Sequence, residues 1–334
     1  MTSKKYLPLS ILFLAILSTG ACAVNATEDE NYANDRVMTA WIHQNYPGVK
    51  SYGDTGAYIL GMNAGNGPAI TDSSYVRAHY VKRRLDQTII STNIKSLAEQ
   101  LGTYSNTSYY GGNVWRVDQG YLPGALETIL KTMRGGGQLK VALPVSASKH
   151  DYATYTAFNS TAETYNEIID LAIDTVITDI YDYQARTMKA WFTEHYAVSD
   201  TVSENLYFKK LVEKTAETDT IAEGESVKVR YIGRLMDGQV FDTNIEDTAK
   251  FYRIWKSGGS YDALSINFYK TDEQKFSSEN SVVTGFGKAV TLMNYGETAV
   301  TLFNSELGYS EKGSNPSIPE YAPLVFWLYL EPKD

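Results

Sequence analysis

The chain has 334 residues, which at about 150 residues per domain predicts two domains. Apolar side chains make up 43% of it and aromatic ones 13%, enough for packed cores and against wholesale disorder. A formal net charge of −9, with no basic patch among aromatic residues, argues against nucleic acid as a partner. One cysteine excludes an intramolecular disulfide, and the four histidines show no ligand-like pairing, so we expect no metal site.

The first residues look like a targeting segment. Two lysines precede an apolar run over residues 7–17, which is too short for a bilayer that needs about 20 residues. Small residues follow, and then Cys22. This order resembles a bacterial lipoprotein signal and predicts a signal peptide over 1–21, lipidation at Cys22 and a tether over 22–36. Because Thr19 stands where that motif usually has leucine, ordinary secretory cleavage that leaves a free thiol is the alternative.

The second half of the chain repeats the first. Residues 80–94 match residues 231–245 without gaps, and residues 37–46 match residues 187–196. Farther along, two apolar series share the i, i+3, i+4, i+7 spacing of one buried face of a short helix. Each series is followed by a glycine, at Gly136 and Gly296, where helix termination favours that residue. Three matches in the same order predict a duplication.

The elements predicted in chain order give each copy the same plan. The first copy has an amphipathic helix at 28–46 and strands at 57–62, 75–84, 138–143 and 167–177. The second has a helix at 179–196 and strands at 206–212, 227–235, 298–303 and 323–331. Such a plan predicts an α+β fold in which a curved antiparallel sheet wraps a short helix. The predicted boundaries are domain 1 at 37–181, a connecting helix and first strand of the second repeat at 182–212, and domain 2 at 213–334.

Three segments of the second copy carry a family resemblance. They are VKVRYIGRLMDGQVFDTN at 227–244, VVTGFGKAVTLMNYGE at 282–297 and SELGYSEKGSNPSIPEYAPLVFWLYLE at 305–331. In this order and spacing they resemble the FKBP family of peptidyl-prolyl cis-trans isomerases. The leading helix and two copies together resemble tandem-FKBP lipoproteins of Gram-negative, Bacteroidetes-like bacteria. The resemblance implies two FKBP-like domains, no cofactor, proline-containing client proteins or peptides, and rapamycin-type macrolides as ligands.

The resemblance also implies a site in the second copy. It assigns the pocket tyrosine, a Phe-Asp pair, two substrate-contacting valines, an aromatic floor, a hydroxyl donor and two apolar walls to Tyr231, Phe241, Asp242, Val282, Val283, Phe286, Tyr309, Ile318 and Phe326. Two flap-strand positions align less closely with Leu264 and Ile266. Ser314 stands where the family often has histidine. In the first copy the matching positions carry Ile90, Ser91, Leu126 and Ile169, which predicts a degenerate binding or scaffolding domain.

The chemistry fits these residue types. Rotating an X–Pro bond needs no nucleophile, metal or cofactor, but it must overcome an amide barrier of about 18–20 kcal/mol. A dry aromatic slot with a few fixed donors can fit the twisted amide better than the planar one. We therefore predict an isomerase that acts on exported proteins, lipid-anchored to a membrane in the bacterial envelope and facing the periplasm or the cell surface.

Two other functions remain open. In a noncatalytic envelope chaperone or assembly module, the same pocket would only bind. A glycan-binding lipoprotein would draw on the many tyrosines and tryptophans, although their spacing does not support it. The insertion at 246–280 is expected to be either a flap that borders the pocket or a solvated decoration.

Overall fold

The computed structural model describes residues 26–117, 120, 122–148, 165–196, 201–203, 205–214, 221–270 and 273–333. The predicted signal peptide, Cys22 and the first residues of the predicted tether lie outside the described residues. Among those described, no helix has both the length and the apolar character needed to cross a membrane. The same residues contain no group of three or more His, Cys, Asp or Glu side chains arranged to hold a metal ion.

The N-terminal unit, residues 26–177, is a six-stranded antiparallel sheet curved over a short helix. Its elements are α1 (Ala26–Asn45), β1 (Tyr58–Asn63), β2 (Tyr75–Arg84), β3 (Ile89–Thr92), α2 (Lys95–Gln100), β4 (Asn113–Arg116), α3 (Gly124–Leu130), β5 (Gln138–Leu143) and β6 (Glu167–Ile177). The strand order is β1-β5-β6-β2-β3, and β4 pairs with β2.

The C-terminal unit, residues 180–333, repeats this arrangement with one more strand. Its elements are α4 (Ile180–Tyr196), β7 (Thr201–Ser203), β8 (Leu206–Val212), β9 (Ser226–Leu235), β10 (Val240–Thr243), α5 (Glu246–Phe251), β11 (Leu264–Asn267), α6 (Glu273–Asn280), α7 (Thr284–Val290), β12 (Thr298–Phe303) and β13 (Leu324–Leu330). The strands run in the order β10-β9-β13-β12-β8-β7, and β11 pairs with β9. Five strands in each sheet therefore follow the same order, and the predicted α+β class and duplication are confirmed.

The short helix of each unit fills the concave side of its sheet. In the C-terminal unit the predicted apolar series is buried in full, and its counterpart in the N-terminal unit is buried likewise; the two sets are Phe286, Ala289, Val290 and Met293, and Leu126, Ile129, Leu130 and Met133. The glycines that follow have φ angles of +76° at Gly136 and +72° at Gly296. Such angles favour glycine because it has no side chain to strain.

The leading helices pack on the opposite, convex side of the sheets. Met38 and Ile42 of α1 are buried against Ala142 and Ile168. Met188 and Phe192 of α4 form the matching contact with Val300, Leu302 and Val325. Each sheet is thus covered by helices on both faces.

Part of the predicted tether is already helical and in contact with the N-terminal unit. Helix α1 begins at Ala26, and the Asn34 carbonyl accepts a hydrogen bond from Asn166 Nδ2 at 2.7 Å. Ser146 Oγ donates to Asp35 Oδ1 at 2.8 Å. Residues 26–36 therefore belong to the folded helix rather than to a free linker.

The insertion at 246–280 contains regular structure instead of one long loop. It holds α5, β11 and α6, and its apolar side chains Ile266 and Phe276 are buried in the core of the C-terminal unit. Helix α6 approaches α7 closely at Gly287, where a Cβ atom would lie 2.8 Å from the Phe276 ring. The side chains of Ile266 and Phe276 therefore anchor the second half of the insertion in the core.

Candidate functional site

The β9–β10 hairpin places three of the predicted site residues on neighbouring strands. Asp242 pairs with Gly233 across the hairpin, and a register irregularity separates this pair from the one formed by Val240. The Tyr231 hydroxyl donates to Asp242 Oδ2 at 2.7 Å, and the backbone N–H of Thr243 donates to Asp242 Oδ1 at 2.9 Å. Both carboxylate oxygens are thus engaged, and the carboxylate fixes the direction of the tyrosine hydroxyl.

Four aromatic rings from four elements meet beside this hydrogen bond. Phe326 of β13 lies edge-on to Phe241 and Phe286, with ring centroids 5.6 and 5.2 Å apart. Tyr231 lies edge-on to Phe286 at 5.7 Å. Edge-to-face contacts let the positive edge of one ring meet the negative face of the next, which stabilises the arrangement beyond area burial. We call these four residues the aromatic slot.

The start of α7 supplies the two predicted valines. Val283 precedes the helix in an extended conformation, with φ −65° and ψ 145°, and its carbonyl accepts from the Gly287 N–H at 3.2 Å. Val282 and Val283 are half-buried against the core that contains Phe286. They therefore stand at the rim of the slot, one turn before its floor.

The segment between β12 and β13, residues 304–323, carries Tyr309 and Ile318; we call it the pocket loop. Ile318 is buried, and it exchanges two backbone hydrogen bonds with Ser314, at 2.8 and 2.9 Å. Tyr309 keeps 39% of its surface exposed. Residue 314 therefore holds Ile318 through backbone atoms alone, and this contact does not depend on the serine side chain.

Both hydroxyl groups of the site stay protonated at neutral pH. Burial, followed by the charge of Asp242, raises the pKa of Tyr231 above its ordinary value. The same two causes raise the pKa of Tyr309. An uncharged phenol is a hydrogen-bond donor, so each group can donate to a carbonyl or a carboxylate.

The less closely aligned pair lies on β11, beside the slot. Leu264 and Ile266 pair with Val229 and Val227 of β9 and point to the same side of the sheet. Leu264 is half-buried, whereas Ile266 is fully buried within the core. All the apolar members of the predicted set belong to one cluster; these are Tyr231, Phe241, Leu264, Ile266, Val282, Val283, Phe286, Ile318 and Phe326.

Two glycines that were not among the predicted site residues make the slot possible. A Cβ atom on Gly233 would lie 2.6 Å from the Phe241 ring and 2.9 Å from the Phe326 ring. On Gly285 it would overlap the Phe303 ring, which stacks on Phe326 with centroids 5.8 Å apart. Both glycines lie within the motifs found in the sequence. Their role could not be found there, because the rings that exclude a side chain come from residues distant in the chain.

The N-terminal unit fills the matching position with a buried ion pair. Lys82 pairs with Ser91 and Ile169 across its strands, as Gly233 pairs with Asp242 and Phe326. The Lys82 ammonium lies 3.7 Å from a Glu167 carboxylate oxygen, and both side chains are 1% exposed. Burial lowers the pKa of Lys82 and raises that of Glu167, and each partner opposes the shift of the other. The space that Gly233 leaves to aromatic rings is thus given to a lysine.

Comparison with known proteins identifies the family of the C-terminal unit. Residues 217–331 match the family model FKBP_C, FKBP-type peptidyl-prolyl cis-trans isomerase. The C-terminal unit is therefore an FKBP-type domain, and the predicted family is confirmed. The resemblance to tandem-domain lipoproteins stays a prediction.

Curated relatives match the same region. A probable FKBP-type peptidyl-prolyl cis-trans isomerase of Haemophilus influenzae is 27% identical over 126 residues, 38% of this chain and 42% of the relative. The FKBP-type 22 kDa peptidyl-prolyl cis-trans isomerase of Escherichia coli is 30% identical over 111 residues, 33% of this chain and 41% of the relative. The chain thus spans about two fifths of the length of each of these relatives.

Among solved structures, the chain is similar to the three FKBP domains of wheat FKBP73. The two are 19% identical, and the match covers 84% of this chain and 95% of the wheat chain with a TM-score of 0.30. A peptidyl-prolyl cis-trans isomerase from Pseudomonas syringae pv. tomato is 22% identical, covering 45% and 91% with a TM-score of 0.32.

Gly233→Ala should damage the slot more than the fold. The added methyl group must displace the Phe241 or Phe326 ring, and overpacking of this kind costs about 1–3 kcal/mol of stability. Binding of a proline-containing peptide at the slot, measured by isothermal titration calorimetry, should weaken about tenfold. Gly61→Ala is the matched strand control, because a Cβ atom there meets nothing within 4 Å. Equal binding by both variants would contradict the role given to Gly233.

Lys82→Ala should destabilise the N-terminal unit by about 3–5 kcal/mol, because it leaves the Glu167 carboxylate buried without its ammonium partner. Denaturant unfolding of the full chain measures this. The double variant Lys82→Met with Glu167→Leu should recover most of the loss. Because burial raises the pKa of Glu167, the loss in Lys82→Ala should shrink as the pH falls and the carboxyl group takes up a proton. An unchanged transition in Lys82→Ala would show that the pair contributes nothing.

Proposed function

We propose that the C-terminal unit catalyses cis-trans isomerisation of X–Pro bonds in exported proteins. The observation that carries the proposal is the aromatic slot with its two protonated hydroxyl groups, in a domain that matches the FKBP family model. The predicted residues of this unit supply an apolar enclosure and donors, which is what rotation about an amide bond requires. Proline-containing clients, and rapamycin-type macrolides as ligands, follow from the same family membership.

In this proposal the slot binds the prolyl ring and excludes water from the amide. The planar amide owes its barrier to charge separation along its partial double bond, and removal of water disfavours that polar ground state. The twisted amide then fits the slot better than the planar one, which lowers the barrier. Phe286 forms the floor, and Phe241 and Phe326 form the walls.

The polar groups hold the substrate rather than exchange protons with it. Tyr309 donates to a substrate carbonyl, and a backbone N–H near Val283 donates to another. Asp242 orients the Tyr231 hydroxyl, with which it forms a 2.7 Å hydrogen bond. Because no proton is transferred, the rate should not depend on a general acid or base.

The second candidate is a noncatalytic chaperone or assembly module of the cell envelope. The buried Lys82–Glu167 pair favours it for the N-terminal unit, where an ion pair stands in place of an aromatic slot. We therefore assign isomerase activity to the C-terminal unit alone.

We further propose that Cys22 anchors the chain by a lipid to a membrane of the bacterial envelope, with both units facing the periplasm or the cell surface. The proposal rests on the position of the single cysteine, which follows a short apolar run and four small residues.

A protease-coupled assay on X–Pro peptides tests the isomerase proposal. The chain should accelerate isomerisation, and Phe241→Ala should lower kcat/KM about tenfold or more, because it removes a wall of the slot. Ile90→Ala is the matched control, since Ile90 is the equivalent residue of the N-terminal unit, and it should leave the rate unchanged. If the folded parent chain leaves peptides at their uncatalysed rate, the chaperone function is favoured.

Cys22→Ser tests the anchor. The parent chain should incorporate a labelled fatty acid and partition into detergent, whereas the variant should do neither. Equal labelling of the two chains would contradict lipidation at Cys22.

A further inference from the structure

The carboxylate of Glu320 lies buried where the two units meet, with 2% of its surface exposed. Glu320 belongs to the pocket loop of the C-terminal unit. One of its oxygens accepts a hydrogen bond from Asn113 Nδ2 of the N-terminal unit at 3.1 Å. The other accepts from Asn315 Nδ2 at 3.4 Å. Because a buried carboxylate is costly without donors, the position of Asn113 restricts the position of the loop.

Asn113 occupies a position that is part of the site in the other unit. Asn113 pairs with Ala78 of β2 in the N-terminal unit. In the C-terminal unit, Leu264 pairs with Val229 of β9 in the same way. Ala78 and Val229 are themselves equivalent in the repeat. The N-terminal unit therefore carries an amide at a pocket position, and the amide binds a carboxylate from the C-terminal unit.

A hydrogen-bond geometry that both units share orients this amide. Asn93 Oδ1 accepts from the Tyr80 N–H at 2.8 Å, just as Asn244 Oδ1 accepts from the Tyr231 N–H at 2.8 Å. Asn93 Nδ2 also donates to Asn113 Oδ1 at 2.9 Å. This bond settles which atom of Asn113 is the acceptor, and it leaves Nδ2 free to donate to Glu320.

The N-terminal unit makes two further contacts with the pocket loop. The backbone N–H of Tyr109 donates to the Pro316 carbonyl at 2.7 Å. The ring of Tyr321 lies edge-on to Tyr75 of β2, with centroids 5.1 Å apart. Ile318, a wall of the proposed pocket, lies between Pro316 and Glu320. The loop is thus held by the N-terminal unit on both sides of its site residue.

We propose that the N-terminal unit positions the pocket loop of the C-terminal unit, with Asn113 acting through Glu320 as a positioning residue. The N-terminal unit, whose own pocket is degenerate, thus offers a docking site for the loop of its neighbour. The catalytic consequence rests on the proposed isomerase function. A loop fixed in advance loses less conformational freedom when a substrate binds, so its release should raise KM more than it lowers kcat.

Asn113→Asp in the full chain tests the proposal selectively. The change keeps the acceptor that Asn93 needs and replaces the donor that faces Glu320 with a second carboxylate. Hydrogen exchange followed by mass spectrometry should show severalfold faster exchange in peptides that cover residues 309–320. The KM for X–Pro peptides should rise about tenfold. Adding Glu320→Gln supplies a donor to the new carboxylate and should restore both values.

The matched control is Asn166→Asp, another buried asparagine of the N-terminal unit, which bonds Val145 and Asn34 and not the pocket loop. It should leave the exchange of residues 309–320 unchanged. If Asn113→Asp does not fold, Glu320→Leu removes the same bond from the loop side and must raise the same exchange.

If residues 309–320 of a folded Asn113→Asp or Glu320→Leu variant exchange hydrogen at the same rate as in the parent chain, the loop is not docked through this bond and the proposal fails. Faster exchange with parental KM and kcat overturns the positioning role. If the parent chain has no isomerase activity, the proposed function fails, whereas the exchange measurement still decides whether the loop is docked.

Discussion

Phe241 and Phe326 approach each other across β9 at a residue that has no side chain. Gly233 leaves room for both rings, and a Cβ atom there would lie within 2.9 Å of each. The close approach brings Phe326 edge-on to Phe286, and Phe286 edge-on to Tyr231. Since protein interiors are packed as densely as organic crystals, one methyl group added at this strand position would displace every ring of the slot.

The duplication shows what the same backbone does without this constraint. In both sheets five strands follow one order, and each sheet encloses a short helix whose apolar series has four buried residues, the last of them just after the helix. In the N-terminal unit, Lys82 and Glu167 fill the space, and Ile169 stands where Phe326 would be. A buried ion pair adds little net stability but is costly to break, so this unit has a specified interior and no aromatic slot. Topology alone therefore does not determine whether a pocket forms.

Much of the fold could be predicted from the sequence because the signal was periodic and present twice. Strands β2, β5, β6, β8 and β12 begin and end at the predicted residues, because each of these segments has a counterpart in the other copy. The helices within the insertion could not be predicted, because α5 has only six residues and α6 only eight, too short for a periodic pattern. Phe241 and Asp242 could be found by resemblance, whereas the dependence of Phe241 on Gly233 could not, because it involves rings from separate strands.

The contact between the units could not be predicted either, and it relates the two halves of the repeat to each other. Asn93 and Asn244 are equivalent and bind the backbone in the same way, yet only the first passes its hydrogen bond on to a side chain, Asn113. A polar group buried at an interface contributes more to the choice of one geometry than to net affinity, because any misplacement of the units takes the donor Asn113 away from Glu320. Asn113, which stands where the second copy has the apolar Leu264, is thus the group that fixes the pocket loop of that copy.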